Sequence, residues 1–173
     1  MISKSFFMRD TRMVARELLG VEIRRQVGKK TIRAVITETE AYKGFSDKAS
    51  HASRGKTKRN APMFGSAGTI YVYLIYGVYW CLNIVTGRQG YPAAILIRGI
   101  RLLPSGEHIS GPGRVCRALN ITGKLSGKDL LDNHSGLAMG RRIFVPSGIK
   151  RAPRIGVDYA GVWARKPWRY LLK

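Results

Sequence analysis

Carboxylates are scarce in this chain: ten Asp and Glu stand against thirty-one Lys and Arg. Two of them nevertheless fall two residues apart in "TETEAY". In an extended strand Glu38, Glu40 and Tyr42 point to one side. A carboxylate beside an aromatic wall in a partly dry pocket has the makings of a general base with a tuned pKa. The competing reading is that each Glu merely pairs with one of the many basic side chains. A second concentration lies in "IYVYLIYGVYWCLNI", which holds four of the eight tyrosines around Gly77. Read as two strands turning there, Ile70, Val72, Leu74, Trp80, Leu82 and Ile84 share one apolar face. Tyr71, Tyr73, Tyr79 and Asn83 share the other, with Ile75 and Cys81 among them, and Tyr76 sits at the tip. A face of phenols and an amide suits a pocket or groove, although a half-buried sheet whose tyrosines cover neighbouring elements would look the same. Between the two segments, "SDKASHASRGKTKRNAPMFGSAG" places His51 among Arg54, Lys56, Lys58 and Arg59, residues able to meet phosphates. A lone loop His or a charge run can equally be a solvated surface.

These segments need elements to hold them. "DTRMVARELLG" reads as a short helix: Asp10 can cap it, Val14 and Leu18 lie on one face, and Gly20 can end it. "VEIRRQV" and "TIRAVITETEAY" read as strands joined around Gly28, Lys29 and Lys30. The stretch from Lys43 to Gly68 lacks periodicity and is expected to be a long functional or mobile loop. "PAAILIRGIRLL" is a buried strand. "SGPGRVCRALNITG" is a second helix, with Pro112 near its start and Gly123 beyond its end. Strand signals outnumber helix signals and do not alternate as in βαβ units, so one α+β domain over residues 1–173 is expected.

Composition bounds the function. The 173 residues suffice for one domain, and 45% apolar with 9% aromatic residues fits a folded core rather than a disordered basic tail. A polyanionic partner, whether DNA, RNA or an acidic membrane face, is the simplest use of the formal charge of +21, with a solubility device as the alternative. No apolar run approaches the ~20 residues of a membrane span, and "MISKSFFMRDTRM" lacks the apolar core of a signal peptide. Cys81 and Cys116 read as reduced core residues, and two Cys with three scattered His make no zinc site.

The run from "TETEAY" through His51 to "YLIYGVYWCLNI", followed by "LIRGIRLL", "SGPGRVCRALNI" and "GVWARKPWRY", resembles the alkyladenine DNA glycosylase family, the 3-methyladenine DNA glycosylases of the methylpurine type. The resemblance covers most of the chain. It implies a single α+β domain built on a curved, mostly antiparallel sheet, open-barrel-like, with surrounding helices and a protruding hairpin. It implies that Glu40 activates the water attacking the sugar C1′, that Arg98 helps hold that water, and that a backbone carbonyl near Ile155 is a further water ligand. Tyr42, His51 and Tyr73 would wall the pocket of a flipped base, Asn83 would crowd the exocyclic amino group of guanine, and Tyr76 would fill the gap left in the duplex.

The activity so implied is hydrolysis of the N-glycosidic bond of alkylated or deaminated purines in double-stranded DNA, the first step of base excision repair. No Lys occupies the motif positions, so a monofunctional enzyme that leaves an abasic site is expected, with no metal or organic cofactor. Such an enzyme can work as a monomer. A bacterial source, with which the short N-terminus is compatible, would place it in the cytoplasm with the nucleoid. Two rivals remain: an RNA- or ribosome-binding module, which needs no Glu40, and a diverged relative acting on another lesion or on RNA.

Overall fold

The computed structural model describes residues 2–173. Two short helices, α1 (Lys4–Phe7) and α2 (Thr11–Glu17), precede the hairpin of β1 (Val21–Val27) and β2 (Lys30–Lys43). As the sequence leads one to expect, the Asp10 side chain caps α2 by accepting from the Arg12 amide, and Val14, Ala15 and Leu18 are buried beneath it. After a long connection come β3 (Ile70–Ile75), β4 (Tyr79–Val85), β5 (Ala93–Leu103), β6 (His108–Ser110) and α3 (Pro112–Ala118). The chain ends through β7 (Leu137–Arg142), β8 (Ile149–Ala152) and β9 (Arg169–Leu172).

The nine strands form one antiparallel sheet that does not close: β3-β4-β5-β2-β1-β7, with β6 on β5 and β9 joining β2 to β8. The expected α+β architecture is the one observed. Strand β2 is long enough to change neighbours. Its first half lies between β1 and β5, and from Glu38 to Glu40 it lies between β9 and β5. The pairing with β5 slips around Glu38, a bulge that re-aims the strand where the carboxylates begin.

The main core packs α2 and α3 against the sheet through Leu18, Ile23, Ile36, Ile70, Leu82, Ile84, Ile97 and Leu119. Of the even-numbered residues of the aromatic hairpin, Ile70, Val72, Leu82 and Ile84 belong to it and Trp80 packs at its edge, while Leu74, nearer the tip, is only half-buried and lies outside it. Helix α3 ends sooner than Gly123: Asn120 takes the left-handed turn at φ +49°, a conformation its short amide tolerates. The connection from Lys43 to Gly68 is long but not shapeless. It carries 3₁₀ turns at His51–Arg54 and Ala61–Phe64, and the buried Asn60 ties it together by donating to the carbonyls of His51 and Gly55.

Candidate active site

The odd-numbered face of the β3–β4 hairpin lines a cavity of about 620 Å³. Tyr71, Tyr73, Ile75, Tyr79, Cys81 and Asn83 all contribute to it. The alternation of types in the sequence therefore sorts core from cavity. Tyr42, His51, Arg98 and Ile155 arrive from β2, the long connection, β5 and the segment after β8 to complete the wall.

Glu40 lies directly behind that wall, with no exposed surface. Tyr42 donates its hydroxyl to Glu40 Oε2 at 2.7 Å, and the Ile155 amide donates to Oε1 at 3.0 Å. Arg98 Nε stands 3.6 Å from Glu40 Oε1 and 3.1 Å from Glu38 Oε1, so one guanidinium bridges both carboxylates. Glu38 is also held by Arg169 at 2.9 Å across the β2–β9 pairing. The two Glu thus share a side, and both the pocket reading and the ion-pair reading of the sequence are met: Glu38 is paired away, while Glu40 adjoins the cavity. Burial pushes the Glu40 pKa above the ordinary glutamate value, against the hydrogen bond from Tyr42, the charge of Arg98 and the Ile155 amide. What the structure shows of Ile155 is its amide on Glu40, where the family resemblance implied a carbonyl on water.

The aromatic walls are fixed by packing. The His51 ring meets Tyr73 edge-to-face at 4.5 Å, and its Nδ1 lies 3.1 Å from the Tyr71 hydroxyl. His51 keeps an exposed edge, yet desolvation of its ring, with the nearby charge of Arg59, holds its pKa below the ordinary value and keeps it neutral at pH 7. Burial first, then neighbouring groups, raises the phenols of Tyr42 and Tyr73 well above the ordinary value, so both stay uncharged. Asn83 is buried, its amide nitrogen committed to the carbonyls of Tyr71 and Cys81. Tyr76, 82% exposed, stands at the hairpin tip on the cavity rim with φ +53°. Arg59 lies over the Tyr73 ring at 5.2 Å, and Arg114 borders the same opening.

All eight residues singled out in the sequence therefore border or back one cavity. Two further groups were not foreseen. Arg154 and Asp47 form a fully buried ion pair behind Tyr42, with no periodicity or motif spacing to announce it. The only sequence signal was an acid in a basic loop. Chemically, the ensemble offers a carboxylate poised to accept a proton, a cationic clamp and a slot between aromatic rings.

Comparison with known proteins identifies the family. The family model described as Methylpurine-DNA glycosylase (MPG) matches residues 5–173. A relative from Methanocella arvoryzae is 45% identical, over 98% of this chain and 90% of its own length. One from Anaeromyxobacter sp. (strain Fw109-5) is 45% identical over 99% and 89%, and one from Sodalis glossinidius 46% over 98% and 95%. Each carries 3-methyladenine DNA glycosylase as a provisional name. With a match of this extent, the chain belongs to the methylpurine-DNA glycosylase family, hydrolases of N-glycosyl bonds that act on DNA in the repair of alkylated bases.

Proposed function

We propose that the protein is a monofunctional glycosylase that turns alkylated or deaminated purines out of duplex DNA and hydrolyses their N-glycosidic bond, leaving an abasic site. The observation that carries this reading is Tyr42: the same side chain lines the cavity and hydrogen-bonds Glu40, so a base stacked on it lies beside the carboxylate. A base inside a duplex is out of reach of any such group, and extruding it costs a few kcal/mol of stacking and pairing. Tyr76, exposed at the rim, fills the gap and offsets part of that cost.

In the pocket the base lies among Tyr42, Tyr73 and His51, and a guanine amino group is crowded by Asn83. Glu40 accepts a proton from water as the oxygen attacks C1′, the C1′–N bond breaks, and its electron pair leaves with the purine. Arg98 holds the water and, through Glu38, keeps its own place; the backbone at Ile155 completes the seat. For water to reach Oε2, the Tyr42 hydroxyl has to share that oxygen, since it is the group that covers it. The negative charge of Glu40 also steadies the sugar cation that develops. The glycosylase unit spans the whole chain, 1–173, and acts as a monomer on double-stranded DNA carrying a damaged purine.

The test is incubation with duplexes that each carry one defined lesion, followed by alkaline cleavage. Base release with strand scission only after alkali is expected; scission before alkali contradicts the monofunctional assignment. Glu40→Gln is expected to keep DNA binding and lose base release. Release by that variant at the parental rate would overturn the role of Glu40.

A further inference from the structure

The Tyr42 ring has two sides, and only one faces the cavity. Behind the other lies Arg154, its guanidinium carbon 4.8 Å from the Tyr42 ring centre and 5.0 Å from that of Trp168. Arg154 is enclosed and does not line the cavity. Its two terminal nitrogens grip Asp47 at 2.6 and 2.9 Å and reach the carbonyls of Ala41 and Trp163. Asp47 in turn accepts from the amides of Lys43 and Ala49. A buried ion pair with this many partners holds its geometry, and here the cationic end is the one pressed on the ring.

Hydrophobic side chains would support Tyr42 as firmly. A charge does something more. A cation on one face of a phenol draws π-electron density toward itself and leaves the opposite face less attractive to a second cation. A base stacked on that opposite face at about 3.5–4 Å would lie roughly 8 Å from the guanidinium, within the range of an unscreened charge in a buried site. We infer that Arg154, balanced by Asp47, is a specificity-determining residue acting through Tyr42: it sets how strongly the pocket prefers cationic over neutral lesion bases. Without the counter-charge of Asp47 the pocket would reject cationic purines; without Arg154 it would favour them.

The inference rests on the glycosylase reading, and the experiment separates the two. A lesion that the unmutated protein releases serves as reporter. Duplexes carrying N7-methylguanine, whose ring is cationic, or hypoxanthine, which is neutral, serve as competitors. The ratio of their inhibition constants, measured on one preparation, does not depend on the fraction of folded protein. Arg154→Gln is expected to shift the ratio toward the cationic lesion by about threefold or more, and Asp47→Asn to shift it toward the neutral one by a similar factor. Loss of a purely structural support would weaken both competitors together, and cannot produce shifts of opposite sign. Shifts in the same direction, or none, overturn the inference. Asp47→Asn alone suffices if Arg154→Gln does not fold, since an unchanged or cation-favouring ratio there is enough to reject it. If the unmutated protein releases no lesion at all, it is the glycosylase reading that fails.

Discussion

Glu40 is caught between burial, which favours its neutral form, and three donors that favour the carboxylate. The outcome is a pKa above the ordinary glutamate value, which suits a base that must both accept and release a proton. Base release should therefore rise with pH through that elevated value, as Glu40 ionises. The Tyr42 hydroxyl is one of the groups holding the pKa down. Tyr42→Phe keeps the stacking ring and removes that donor, so the acid limb of the kcat profile should move to higher pH. A limb that stays put or moves down would show that the hydroxyl does not tune Glu40. The same burial has a stability consequence. A carboxyl whose pKa is raised on folding costs no stability below its unfolded value, increasingly more between the two values, and the full amount above its folded one. Glu40→Gln should then unfold at a temperature no lower than the parent at pH 7. Any advantage should fade as the pH is lowered from that elevated folded value toward the ordinary glutamate value, and be gone below it, as thermal melts would read.

At the scale of elements, the bulge in β2 and the strand opposite it decide where the carboxylates point. Gly99 of β5 faces Glu38, and a Cβ there would come within 2.8 Å of Glu38 Cβ and 3.0 Å of Thr37 Oγ1. Gly99→Ala should push Glu38 away, loosen Arg98 and slow base release, though Gly99 carries no reactive group; overpacking of this kind costs about 1–3 kcal/mol. Unchanged single-turnover rates would remove Glu38 from the positioning chain. The hairpin holds the opposite tension. Tyr76 adopts φ +53°, which a side chain tolerates poorly, and it buries little. Tyr76→Gly should leave stability within about 0.5 kcal/mol, relief of strain offsetting the flexibility of glycine. If the ring fills the duplex, affinity for a lesion should fall on the order of tenfold, since stacking on an aromatic ring contributes about 1–3 kcal/mol. Local pattern was enough to read the α2 cap and the two faces of the hairpin, because parity and capping act within a few residues. The bulge of β2 depends on pairing with β5 about sixty residues on, and its change of neighbours to β9 and the meeting of Asp47 with Arg154 depend on contacts more than a hundred residues apart, all beyond the reach of periodicity. The family resemblance names Ile155 for its carbonyl; the contact of its amide with Glu40, 115 residues away, is not legible in the sequence.

At the scale of the whole molecule, the formal charge of +21 is the largest unspent quantity in the chain. The buried site uses very little of it. Arg98 and Arg169 answer Glu38 and Glu40, and Arg154 answers Asp47, which leaves most basic residues on the surface. Each phosphate they neutralise releases condensed counterions, and binding to lesion-free duplex should weaken with salt accordingly. The logarithm of the binding constant against the logarithm of salt concentration should have a slope of magnitude above about 3 between 50 and 200 mM. A nearly flat plot would mean that the charge faces something other than DNA. Tyr76→Gly separates this background from recognition of the lesion. The ring carries no charge, so the variant should show the parental slope on lesion-free DNA while binding a lesion-bearing duplex more weakly. A changed slope would mean that the hairpin tip sets how the protein sits on the phosphates, and that wedge and basic surface act as one unit.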